Sequence, residues 1–179
     1  MSYKSSAVAI GGVASALCLL FMFLTGVMPF ATFALPAVAG MVLIAVVVEN
    51  GYKVAFCVYV AVSLLSLVMV PDREAAMMFI GFFGYYVIIK GRLDKIKSRF
   101  VRISTKLVIF NTAVICSYLI IIFVFGLTEL LEADPILGKY AFLILLIPAN
   151  LVFAVYDLAV KRVAIAYIYW FRPKFLRKF

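Results

Sequence analysis

Histidine is absent from the 179-residue sequence, which removes the commonest transition-metal ligand and the usual general base at neutral pH. Cysteine is scarce and odd in number: Cys18, Cys57 and Cys116 all fall inside apolar runs, where they suit packing better than a disulfide frame or metal site. Charge is sparse at 14% and one-sided, with 17 Lys and Arg against 8 Asp and Glu. No GxxxxGK[ST], nucleophile elbow, HExxH or CxxC occurs, so nothing argues for an enzyme, a bound cofactor or a metal.

What the chain has in quantity is hydrocarbon. Hydrophobic residues make up 68%, and the mean hydropathy is +1.21. These values predict an all-α integral membrane protein, one transmembrane domain over residues 1–179. The net charge of +9 does not point to nucleic acid, because the basic residues flank apolar runs, where they set topology and meet anionic lipid headgroups.

Apolar runs at about 6–24, 30–48, 54–70, 75–89, 107–125 and 140–160 predict a six-helix bundle. The first run is long and lacks a cleavage region, so it is expected to be a retained span. Lys4, Lys53, seven basic residues from Lys90 to Lys106 and six from Lys161 to Lys178 fall on one side, with Arg73 and Lys139 on the other. Both termini are therefore expected in the cytoplasm.

The inner connection at 90–106 reads either as an amphipathic surface helix, with Leu93, Ile96, Phe100, Val101 and Ile103 toward lipid, or as a basic connector. The chain from Tyr140 to Trp170 is too long for one upright span, so the part after Arg162 is expected to run along the inner face.

Small residues Ala7, Gly11 and Ser15, with Gly12 and Ala16, form stripes four apart on the first run, for internal packing or for docking a partner. Ser63, Ser66, Thr112 and Ser117 are expected to bond within their own helices, Asn111 to cap or bridge, and Tyr85 and Tyr86 to belong to an aromatic belt. Glu49 and Lys53 flank a turn.

Asp157 stands out because a carboxylate within a span is costly without a partner or a role. Asn150, Phe153, Asp157 and Lys161 share a helical face, and Asp157 to Lys161 suits an i,i+4 pair at the inner interface; ligand or proton handling is the alternative.

Six spans, a small-residue first helix and a last helix beginning LLIPANLV together resemble the substrate-binding S components of energy-coupling factor (ECF) vitamin transporters. The match is to their Pro-x-Asn arrangement at Pro148 and Asn150, and to small residues at Ala7, Gly11, Gly12 and Ala16 where such subunits meet a coupling protein. The resemblance implies a capture subunit driven by separate coupling and ATPase subunits, with ligand candidates Asn150, Phe153, Asp157, Tyr85 and Thr25. Some relatives carry lysine three residues after the asparagine, where this chain has Phe153, so a largely uncharged or apolar metabolite, or a lipid, is expected. The competing readings are a non-transporting scaffold, such as the rod-shape membrane subunits, and a lipid-handling protein.

Overall fold

In the computed structural model, residues 3–125 and 137–175 are described, with side chains over 7–28, 30–120 and 146–174. The acids Glu129, Glu132 and Asp134 of the last outer connection, and Arg177 and Lys178, lie outside the described residues. All regular structure among the described residues is helical: α1 (Tyr3–Leu24), α2 (Ala34–Met69), α3 (Arg73–Leu93), α4 (Arg99–Phe125) and α5 (Leu137–Ala166). A π-helical turn, Tyr167–Phe171, and Arg172–Phe175 carry α5 onward without a break. Four of these helices, α1 to α4, are long and apolar enough to cross a membrane.

The expected second and third runs lie in one element, α2, whose helical path is broken only at Gly51 (φ 81°, ψ 177°). The neighbours of its two arms show that the chain reverses there. Cβ positions built at Gly40 and Gly84 meet Phe83 and Tyr59 respectively, and one at Gly91 lies 2.9 Å from the Tyr52 hydroxyl. Residues 34–50 thus run parallel to α3, whereas residues 52–69 run antiparallel to it. The ENGYK stretch forms a helical hairpin because glycine alone readily occupies this backbone region. Gly51→Ala is expected to cost about 2 kcal/mol, read as a lowered melting temperature in detergent.

One end of the bundle gathers the 25–33 and 70–72 connections, where a Cβ at Gly26 would lie 3.1 Å from Pro71. The other gathers Gly51, the 94–98 turn and the C-terminal extension, where Arg172 Nε approaches Glu49 Oε1 at 3.0 Å. Burial, then Glu49, pushes the nearby Tyr167 hydroxyl up to about 12. Glu49 therefore pairs across the fold instead of with Lys53, which is exposed. Lys53, Arg92, Lys95, Lys97 and Arg99 cluster at this second end, while Arg73 marks the first.

The connection expected over 90–106 is much shorter in the structure. Helix α3 continues to Leu93 and α4 begins at Arg99, so no separate surface helix lies between them. Both helices extend because Lys90 and Lys106 turn inward onto carboxylates instead of facing water. Phe100 and Val101 are nevertheless exposed on α4. The opposite end of α3 is set by PDRE: Asp72 caps by accepting from Ala75 N at 3.0 Å, and Glu74 lies in the first turn.

The bundle's exterior is apolar and part of its interior is ionic. Phe30 is 87% exposed and Val68 83%, whereas Lys90 is only 5% exposed. Such a distribution suits a hydrocarbon solvent.

Candidate functional site

Tyr86 and Lys90 on α3, with Asp94 at its C-cap, follow one another at four-residue intervals, which places them on one side. Lys106 and Phe110 repeat that spacing on α4, and Phe153 and Asp157 repeat it on α5. Where the three faces meet, Lys106 Nζ donates to Asp94 Oδ1 at 2.6 Å and to both Asp157 oxygens at 3.0 Å. Lys90 bonds Asp157 and lies 3.4 Å from Asp94 Oδ2, while the Tyr86 hydroxyl donates to Asp157 Oδ1. Two ammonium groups face two carboxylates, so the formal charge of the node is zero. Each ion has a partner of opposite sign, the condition under which buried charges persist.

Aromatic rings close the node on one side. Phe153 stacks on Phe110 with centroids 4.7 Å apart and meets the edges of Phe82 and Tyr86. The π-helical turn Phe79–Phe83 within α3 brings Phe82 and Phe83 to this cluster, since its extra residue rotates the helix face. The Phe83 carbonyl accepts from Tyr156 at 3.5 Å.

On α5, two turns from the node toward the opposite end, Asn150 Nδ2 donates to Asn111 Oδ1 at 3.0 Å and to the Leu146 carbonyl at 2.7 Å. Asn111 therefore makes an interhelical bond. The carbonyl oxygen of the Asn150 side chain is buried without a hydrogen-bond partner among the described residues. Pro148, inside α5, has no N–H to give the helix, and the Asn150 amide supplies a donor beside it.

The sequence-derived candidates separate spatially. Asn150, Phe153 and Asp157 share the inward face of α5, as the spacing predicts. Phe153 is 4% exposed and its ring contacts are with other rings. Tyr85, on α3, sits edge-on to Tyr59 and Phe82. Thr25 is buried just beyond the end of α1, where its hydroxyl donates locally to Met22 O at 2.7 Å.

Three expectations need correction. Asp157 does not pair with Lys161, which is exposed; two lysines from other helices lie closer to its depth in the bundle. Tyr86 is fully buried as a donor to the node, not a belt residue. Ser117 reaches across to Met77 O on α3, although Ser66 does bond within its own helix. The node's lysines escaped sequence reading because a basic residue at the end of an apolar run has the same sequence signature whether it faces water or protein.

The small residues of α1 also divide. Gly11 faces inward, and a Cβ there would lie 3.2 Å from Val58 Cγ2. Among the described residues nothing lies within 4 Å of such an atom at Gly12; Ala16 is exposed and Ala7 half-buried. Among the described residues no group of three or more His, Cys, Asp or Glu side chains could hold a metal. No protein-family model, curated protein or solved structure matches the chain.

Proposed function

We propose that the chain is a six-crossing bacterial inner-membrane protein, with both termini cytoplasmic, that captures a small, largely uncharged or apolar vitamin-like metabolite for an importer. Its coupling and ATPase subunits are separate chains, as the S-component resemblance implies. The two arms of α2 count as two crossings, and the basic end of the bundle is the cytoplasmic one.

Asn150 carries the capture reading. Its amide spans two helices inside the bundle beside Pro148, and its side-chain oxygen is a buried acceptor without a hydrogen-bond partner among the described residues. In an apolar setting a ligand donor placed there makes a bond that water does not supply. The open face at Gly12 and Ala16 supports contact with a coupling subunit, since small side chains admit another helix closely.

Native mass spectrometry of the protein from its host is the test. A retained small molecule together with copurifying ATPase subunits is the expected result; finding neither, in conditions that preserve such complexes, supports the scaffold reading instead. With the retained compound in hand, Asn150→Leu is expected to weaken its binding about tenfold while expression is unchanged. Equal affinity in a titration removes Asn150 from the site.

A further inference from the structure

The hydrogen bonds of the Asn150 amide decide what it can offer a bound compound. Its Nδ2 donates to Asn111 Oδ1 at 3.0 Å and to the Leu146 carbonyl at 2.7 Å. A primary amide has two N–H groups and one oxygen, so two acceptors take both donors and the oxygen is what remains. The network also fixes which end is which. Turning the amide over would set its oxygen against the Leu146 carbonyl, acceptor against acceptor. The two bonds differ in reach: the one to Leu146 goes back four residues within α5, whereas the one to Asn111 crosses to α4 and takes the second N–H.

We propose that Asn111 is a positioning residue that leaves Asn150 an acceptor alone, so that the captured compound is one presenting an N–H or O–H at that point. The inference rests on the capture reading above. A carboxylate, phosphate or bare ring nitrogen placed there sets its lone pair against a buried lone pair, which is how a site rejects the wrong ligand. Phe110, next to Asn111 on α4, stacks on Phe153, three residues beyond Asn150, and both rings are buried. In register these rings lie between the amide pair and the ionic node, so the node's ammonium groups are screened from a compound held at Asn150.

Removing the Asn111 oxygen changes the polarity on offer. In Asn111→Leu one N–H of Asn150 loses its acceptor, and the side chain then presents a donor beside its oxygen. Compounds of either polarity find a partner and discrimination falls, whereas a purely structural role for Asn111 weakens all compounds alike.

The experiment uses full-length protein in detergent carrying isotope-labelled asparagine. Asn50, Asn111 and Asn150 are the chain's asparagines and it has no glutamine, so replacing each in turn assigns its side-chain amide signal. The probes are indole, a flat uncharged N–H donor, and quinoline, a flat acceptor with no N–H, each titrated against the Asn150 carbonyl signal. Wild type is expected to bind indole about tenfold more tightly than quinoline. In Asn111→Leu the ratio is expected to fall below about twofold, while Asn111→Asp, which keeps a side-chain oxygen at the same place, restores it. Melting temperature reports folding, and Asn111→Ala replaces the leucine variant if leucine prevents it. Equal response of wild type to the two probes, no response to either included, or an undiminished ratio in a folded variant lacking the Asn111 oxygen, overturns the proposal. Capture itself is scored separately by the compound retained from the host: its presence beside unselective probe binding removes the role of Asn111 and leaves capture standing, while its absence counts against capture.

Discussion

Asp157→Leu is expected to destabilise the protein by about 3–5 kcal/mol, the range for removing one partner from a buried ion pair. The reason is the number of charges left behind. Lys90 and Lys106 are 5% and 6% exposed, and both donate to Asp157. Without it, two ammonium groups share Asp94, and the Tyr86 hydroxyl loses its acceptor. Lys161→Leu changes an exposed lysine outside the node and is expected to shift stability by less than about 0.5 kcal/mol.

The double variant Asp157→Leu/Lys90→Met separates charge imbalance from lost packing. It leaves the Lys106–Asp94 pair, 2.6 Å apart, formally neutral, and part of the stability is expected to return. Melting in detergent, checked by titration with a denaturing detergent, measures all three variants. If Asp157→Leu melts within a degree or two of Lys161→Leu, the node does not hold the bundle together.

How much of this arrangement was readable in advance depends on the kind of signal. Apolar runs located the helices because length and hydropathy are local properties, and the bend at Gly51 falls within the ENGYK stretch that separates two of them. Asp157 was legible as an anomaly because a carboxylate in hydrocarbon requires compensation. Its partners were not, because α3 and α4 supply them from 67 and 51 residues away in sequence. The i,i+4 neighbour Lys161 was the local solution; tertiary packing supplied a more buried one. The spacing Tyr86, Lys90, Asp94 was the available clue, a polar face on a helix otherwise rich in apolar residues.

A similar division applies to glycine, and it yields the second large effect. Gly40→Leu is expected to cost about 3 kcal/mol, whereas Gly12→Leu is expected to cost less than about 0.5 kcal/mol. Gly40 is buried where the first arm of α2 touches α3 and α5 together. Even a methyl group there would strike the Phe83 carbonyl and come within 3.1 Å of the Tyr156 hydroxyl. A backbone carbonyl in a π-helical turn cannot swing aside as a side-chain tip can, so the arm itself must move. That movement would also open the aromatic cluster, since Tyr156 and Phe83 pack edge to face at 5.0 Å between centroids. At Gly12, by contrast, an added side chain enters open space. Melting temperatures of the two purified variants give the comparison, and similar values would refute the close approach at Gly40. Copurification adds a functional readout: if the open α1 face receives a coupling subunit, Gly12→Leu melts like wild type but loses that partner, a separation that a general folding defect does not produce.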